Sequence, residues 1–180
     1  MSFQQFFDSI VSDDLRRVAE NWLAARGSRP MPAWKDFDPV PIGPQLRYIW
    51  AWRYDRATQG FTGRLAGEDI AAMFGGSIGG ARMADYFPPE IYRAFFPWMQ
   101  RVVLEPAFGR GSGLIYRRLG RNFTGERIMM PLADDGLRGD GLIGATFYNP
   151  IASALLEDGP HLTGEERTDF FALDSATASA

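Results

Sequence analysis

Between residues 46 and 54 large apolar side chains fall on every second position. Leu46, Tyr48, Trp50, Trp52 and Tyr54 alternate with Arg47, Ile49, Ala51 and Arg53. A period of two belongs to a β-strand and cannot be laid along one face of a helix. Residues 55–60 (DRATQG) form a polar turn, and residues 61–65 return as a second strand, so the pair reads as a hairpin. Three further strand patterns follow near residues 113–119, 124–132 and 141–148, separated by the turn-forming LGRNF and ADDGLRGD.

Between these two strand groups the periodicity changes. Ile70, Met73 and Phe74 suit a short helical turn, interrupted by Gly75, Gly76, Gly79 and Gly80. Ile91, Tyr92, Phe95, Phe96, Met99, Val102 and Val103 then recur at helical spacing. Pro89 fits the first turn of that helix, and Pro97 is expected to kink or divide it. The order of strands, short helices, one longer helix and more strands specifies an α+β domain on an antiparallel sheet.

Ahead of the hairpin lies a second amphipathic pattern. Phe3, Phe6, Phe7, Ile10, Val11, Leu15, Val18 and Trp22 make an apolar stripe. Residues 2–26 are expected to form one helix, or two if the chain breaks at Ser12, which would then cap the second. Such a stripe has to be buried, either on the chain's own sheet or in a dimer interface through Phe7, Val11, Leu15, Val18 and Trp22. Residues 28–44 hold five prolines and read as an extended connector. Residues 1–27 are therefore expected to be a helical extension, 28–150 the main domain, and 151–180 a mobile acidic tail. That tail carries Glu157, Asp158, Glu165, Glu166, Asp169 and Asp174 against Arg167, a balance of −5 within a total of −3, which leaves +2 for residues 1–150.

A nearly neutral body offers no electrostatic footprint for nucleic acid. No stretch approaches the roughly 18 apolar residues of a membrane span. No basic, cleavable leader opens the chain, and a cytoplasmic location is expected. Cysteine is absent, so disulfides, thiolate chemistry and Cys-ligated metals are excluded.

Three phrases point to a family. Residues 36–46 (DFDPVPIGPQL), 63–87 (GRLAGEDIAAMFGGSIGGARMADYF) and 126–136 (ERIMMPLADDG) together resemble the single-domain PAS-like family common in alphaproteobacteria. The second phrase carries most of the likeness, through Arg64, Leu65, Gly67, Ile70, Phe74, Gly75, Gly79 and Asp85. The resemblance implies a PAS fold, with a five-stranded antiparallel sheet and helices on one face. It implies a role in signalling or protein docking and does not imply catalysis. FGGSIGG is richer in glycine than the family pattern; it reads as a tight turn or as a loop lining a ligand pocket.

The chemistry available to such a domain is narrow. The only histidine, His161, lies in the acidic tail, which argues against haem ligation and against a Ser–His–Asp triad. Photochemistry through a flavin–cysteine adduct is excluded, whereas a non-covalent flavin requires no cysteine. Ser112 in GRGSG lacks the spacing of a nucleophile elbow. The acidic pairs Asp13–Asp14, Glu68–Asp69, Asp134–Asp135 and Glu165–Glu166 read as helix starts, a turn and a solvated tail. No cofactor or metal is expected.

Aromatic residues are the candidates for a ligand cavity. Trp52, Phe95, Trp98 and Tyr116 would line it, and Arg64, Arg117 and Arg127 would be placed to hold an anionic group. The reading that follows is a non-catalytic sensory or interaction module. It would bind a small cytoplasmic ligand, a signalling protein such as a histidine kinase, or both, with output by contact because no effector segment follows residue 150. A small-molecule-converting enzyme on a cone-shaped α+β scaffold is the alternative. It requires two converging acid or base groups in the cavity.

Overall fold

A computed structural model describes residues 2–118, 121–150 and 166–173. The N-terminal stripe forms two helices, α1 (Ser2–Ser9) and α2 (Asp13–Arg26). The break falls at Ser12, whose Oγ accepts from the Leu15 N–H at 3.4 Å. Asp13 and Asp14 occupy the first turn of α2, where carboxylates favour the exposed N–H groups. The proline-rich connector is extended with two 3₁₀ stretches, Trp34–Asp36 and Val40–Tyr48. The second takes in Leu46 and Tyr48, so the first strand starts three residues later than the alternation alone suggests.

The strands are β1 (Ile49–Asp55), β2 (Gly60–Ala66), β3 (Ala107–Arg118), β4 (Arg121–Leu132), β5 (Gly141–Pro150) and β6 (Arg167–Ala172). Between β2 and β3 lie α3 (Glu68–Phe74), α4 (Met83–Tyr86) and α5 (Pro89–Leu104). Pro89 opens α5 as expected; Pro97 is exposed and does not divide it. The sheet is antiparallel throughout, in the order β2-β1-β5-β4-β3-β6.

Two expectations are corrected here. The sheet has six strands rather than five, because residues 167–172 add an edge strand to β3, with Gly111 opposite Thr168. The segment expected to be a mobile acidic tail is therefore ordered over this stretch. Acidic composition does not prevent pairing when adjacent residues, here Phe170 and Phe171, find apolar neighbours on the two faces of the sheet. Residues 151–165, with His161, and 174–180 lie outside the described residues.

The sheet is covered on both faces. On one, α1 and α2 pack Phe6, Ile10, Leu15, Val18 and Trp22 against Ile49, Ala51, Phe108, Ile128, Met130 and Ile143. Phe6 stacks on Phe108 with centroids 4.8 Å apart, and Trp22 meets the same ring edge-on at 4.9 Å. The Trp22 Nε1–H donates to the Pro131 carbonyl at 2.9 Å. This corrects the dimer-surface reading of the stripe. Leu15, Val18 and Trp22 are fully buried against the chain's own sheet, Phe7 is half-buried, and only Val11, at 76% exposure, faces outward. On the other face α3, α4 and α5 enclose Trp50, Trp52, Met129 and Leu142.

Candidate functional site

A small aromatic-lined space lies between the sheet and α3–α5. Its floor is Trp50 and Trp52 from β1, Tyr116 from β3 and Arg127 from β4. Its roof is Ile70 and Phe74 from α3, Ile78 from the glycine-rich loop, and Phe87, Ile91 and Phe95. Gly75, at φ +84°, ends α3 in the left-handed region. The chain then turns back sharply enough for Ile78 to reach the cavity. Thus FGGSIGG serves both as a turn and as a lining loop. The cavity measures about 20 Å³, room for a single water. An isoalloxazine ring does not fit that space as the side chains stand.

Among the described residues Arg127 is the one charged group in the lining, and it is only 1% exposed. Its guanidinium carbon lies 4.6 Å from the Phe95 ring centroid and 5.3 Å from that of Tyr116, so two aromatic faces sandwich the cation. Its Nε–H donates to Thr146 Oγ1 at 3.3 Å, and the same oxygen accepts from Trp50 Nε1 at 2.9 Å. Its Nη1 donates to Glu166 Oε1 and Oε2 at 3.2 and 3.0 Å. Glu166, just ahead of β6, is itself buried. Burial pushes the Glu166 carboxyl above its ordinary range, against the pull of Arg127. Burial also opposes the charge on Arg127, but Glu166 and Tyr116 outweigh it, and the guanidinium stays charged.

Of the residues expected to bind ligand, Trp52, Phe95 and Tyr116 come together here. Trp98 is half-buried on the far side of Phe95, edge-on at 6.0 Å, and does not line the space. Arg64 is exposed on the edge strand β2. Arg117 turns to Asn122 Oδ1 at 3.0 Å. The cause is a register shift between Leu114 and Tyr116, a bulge that changes which residue faces the helices. Arg110, earlier on the same strand, lies on the α1–α2 face beside Glu126, whereas Tyr116 lies on the cavity face. Arg127 is therefore the arginine delivered to the cavity. Its partner Glu166 carried no sequence signal beyond its membership of an acidic segment.

A larger open cleft of about 670 Å³ lies on the opposite face beside the start of α2. Its buried charges are already matched. Glu126 accepts from the Val11 and Ser12 amides at 3.0 and 2.8 Å and from Arg110 Nε at 2.5 Å. The site with an apolar body and a polar end is the aromatic cavity.

An antiparallel sheet bearing short helices and one longer helix, with an aromatic cavity between them, defines an α+β domain. Within that class the sequence matches the family profile of the PAS domain over residues 11–146, and the chain belongs to this family. PAS domains are sensory or interaction modules, generally without catalytic activity. Comparison with curated proteins and with solved structures gave no match. Among the described residues no helix is long and apolar enough to cross a membrane.

Proposed function

We propose that the protein is a module of bacterial signalling that binds a small cytoplasmic ligand in the aromatic cavity and reports occupancy to a signalling protein, such as a histidine kinase, by contact. The observation that carries this reading is a small, aromatic-lined cavity with one buried guanidinium at its wall. Among the described residues its lining holds no carboxylate or imidazole, which favours binding over the enzyme alternative. The cavity is small as it stands, so the ligand is compact or enters as α3 and the glycine loop move outward.

A thermal-shift screen of small metabolites tests the ligand half. A compound held at about 100 times its dissociation constant stabilises the fold by about 2.7 kcal/mol. Its effect should shrink in a Phe95→Ala variant. A broad screen in which nothing raises the melting temperature would remove that half. In-cell crosslinking followed by mass spectrometry tests the other, with a histidine kinase as the expected adduct. Recovery of no signalling protein would count against it.

A further inference from the structure

The contact between Arg127 and Glu166 joins two parts of the chain of different standing. Arg127 lies within the PAS match, which ends at residue 146, whereas Glu166 and β6 lie beyond it. Buried ion pairs contribute little net stability on average, because desolvation offsets most of the attraction. An appended segment that carries a carboxylate into the core of a sensory domain therefore calls for an explanation other than stability.

The route of Glu166 is specific. Its side chain crosses β3 above Gly111, where a Cβ would stand 1.9 Å from Glu166 Oε1. Gly111 sits between Arg127 on one side and Thr168 on the other in the strand register. Any other residue at 111 would block the carboxylate. The glycine thus opens a channel from β6 to the guanidinium. Thr168 Oγ1, in the same row, is buried with no hydrogen-bond partner among the described residues. A carboxylate arriving at Arg127 would find the cation and the two flanking rings already in place.

We propose that Arg127 is the anion end of a ligand site that Glu166 fills as an internal stand-in, and that a small organic monocarboxylate with an apolar body displaces Glu166 and releases β6. The proposal rests on the cavity being the ligand site and adds the chemical class of the ligand and its consequence. The carboxylate takes the fork of the guanidinium, and the apolar body takes the aromatic space beside Phe95 and Tyr116 together with the room the Glu166 side chain vacates. Burial of Glu166 holds its ionised form at a cost, which makes it replaceable. β6 is suited to release. It is six residues long, stands at the sheet edge and pairs with β3 alone. Beyond that pairing it is held by Phe170, whose ring faces Arg101 at 4.4 Å, by Phe171, 5.9 Å from Phe6, and at its end by the Leu173 N–H on the Pro106 carbonyl at 3.0 Å. Release uncovers these rings and the β3 edge, a surface able to engage another chain.

The test uses the full chain with acetate, propionate and benzoate, against sodium chloride at matched ionic strength. The variants are Glu166→Ala, the near-isosteric Glu166→Gln in case the first fails to fold, and Glu166→Ala/Arg127→Met. Propionate or benzoate should bind Glu166→Ala or Glu166→Gln at least tenfold more tightly than wild type, read from melting temperature against concentration. The double variant should show no response beyond that to chloride. In wild type, saturating carboxylate should raise amide exchange at residues 167–172 by tenfold or more and leave β4 and β5 unchanged. Folded Glu166 variants that respond only as to chloride would overturn the proposal. So would a response that survives in the double variant, or binding to wild type that leaves exchange at 167–172 untouched. Neutral indole serves as the separating probe. If it stabilises wild type while the carboxylates fail, the cavity stands as a ligand site and only this proposal falls.

Discussion

Replacing Glu126 by Ala tests how the N-terminal helices are fastened to the sheet. The carboxylate is buried and does three jobs at once. It accepts from the Val11 and Ser12 amides, which form the link between α1 and α2, and it pairs with Arg110, which is 15% exposed. Removing it leaves two amide donors and a guanidinium without their acceptor. A hydrogen bond to a charged group contributes about 1.5–3 kcal/mol, and breaking one side of a buried pair costs about 3–5 kcal/mol. These terms overlap, because water can reach the exposed Val11 amide. The expected total for Glu126→Ala is therefore about 3–5 kcal/mol rather than their sum. Glu126→Gln retains one acceptor oxygen and should cost about 1–2 kcal/mol.

Urea denaturation followed by tryptophan fluorescence reads the loss directly, because Trp22 is carried into the core on the buried face of α2. Hydrogen exchange at residues 2–9 should rise more than at β4. A Glu126→Ala variant within about 1 kcal/mol of wild type, or one that costs no more than Glu126→Gln, would refute the clamp. A double-mutant cycle with Arg110→Ala then isolates the ion pair from the amide contacts.

Leu15→Glu places an unpaired carboxylate at a fully buried position and should unfold the chain, a loss above about 4 kcal/mol, whereas Val11→Glu at the outward position should stay within about 0.5 kcal/mol. Circular dichroism and light scattering check both; a folded Leu15→Glu monomer from a wild-type dimer would restore the interface reading of the stripe. Gly111→Ala should expel Glu166 from Arg127 without altering either charge, at about 2–4 kcal/mol by equilibrium denaturation; retention of full stability would show that the side chain reaches Arg127 by another path. Burial raises the folded-state pKa of Glu166 above its ordinary 4.5. The fold then binds this proton more tightly than the unfolded chain does, so the contribution is present below 4.5 and is lost as pH rises through the raised value. Wild type should accordingly lose stability relative to Glu166→Gln between pH 4 and 8; a relative gain would show that the Arg127 charge outweighs burial.

Periodicity in the sequence located the elements well, because side-chain alternation is a local property. Trp52 and Phe95 reached the cavity for the same reason: each sits on a face fixed by its own element. The failures share the opposite cause. Arg64 and Arg117 were placed by strand position, but an edge strand and a bulge between Leu114 and Tyr116 decide where they point. Neither the bulge nor the sheet order is written in any short window. The N-terminal stripe announced that it must be buried and could not announce where, since a sheet face and a second copy offer the same apolar surface. Six strands in place of five followed from residues that composition marked as solvated.

Glu166 shows why composition fails at such a place. In a run of carboxylates each charge is cheap when solvated, so the run reads as tail. One member is drawn inside only because three distant features coincide: a guanidinium from β4, a missing side chain at Gly111, and an edge at β3 ready to pair with β6. The buried guanidinium needs a counter-charge, and the carboxylate reaches it only across the bare backbone of Gly111. The PAS match closes at residue 146 without β6 or Glu166, and an apolar residue in place of Arg127 would complete the aromatic cavity at lower desolvation cost. Their convergence at the wall of the cavity is most simply understood as a coupling between what the cavity holds and where the C-terminal strand lies.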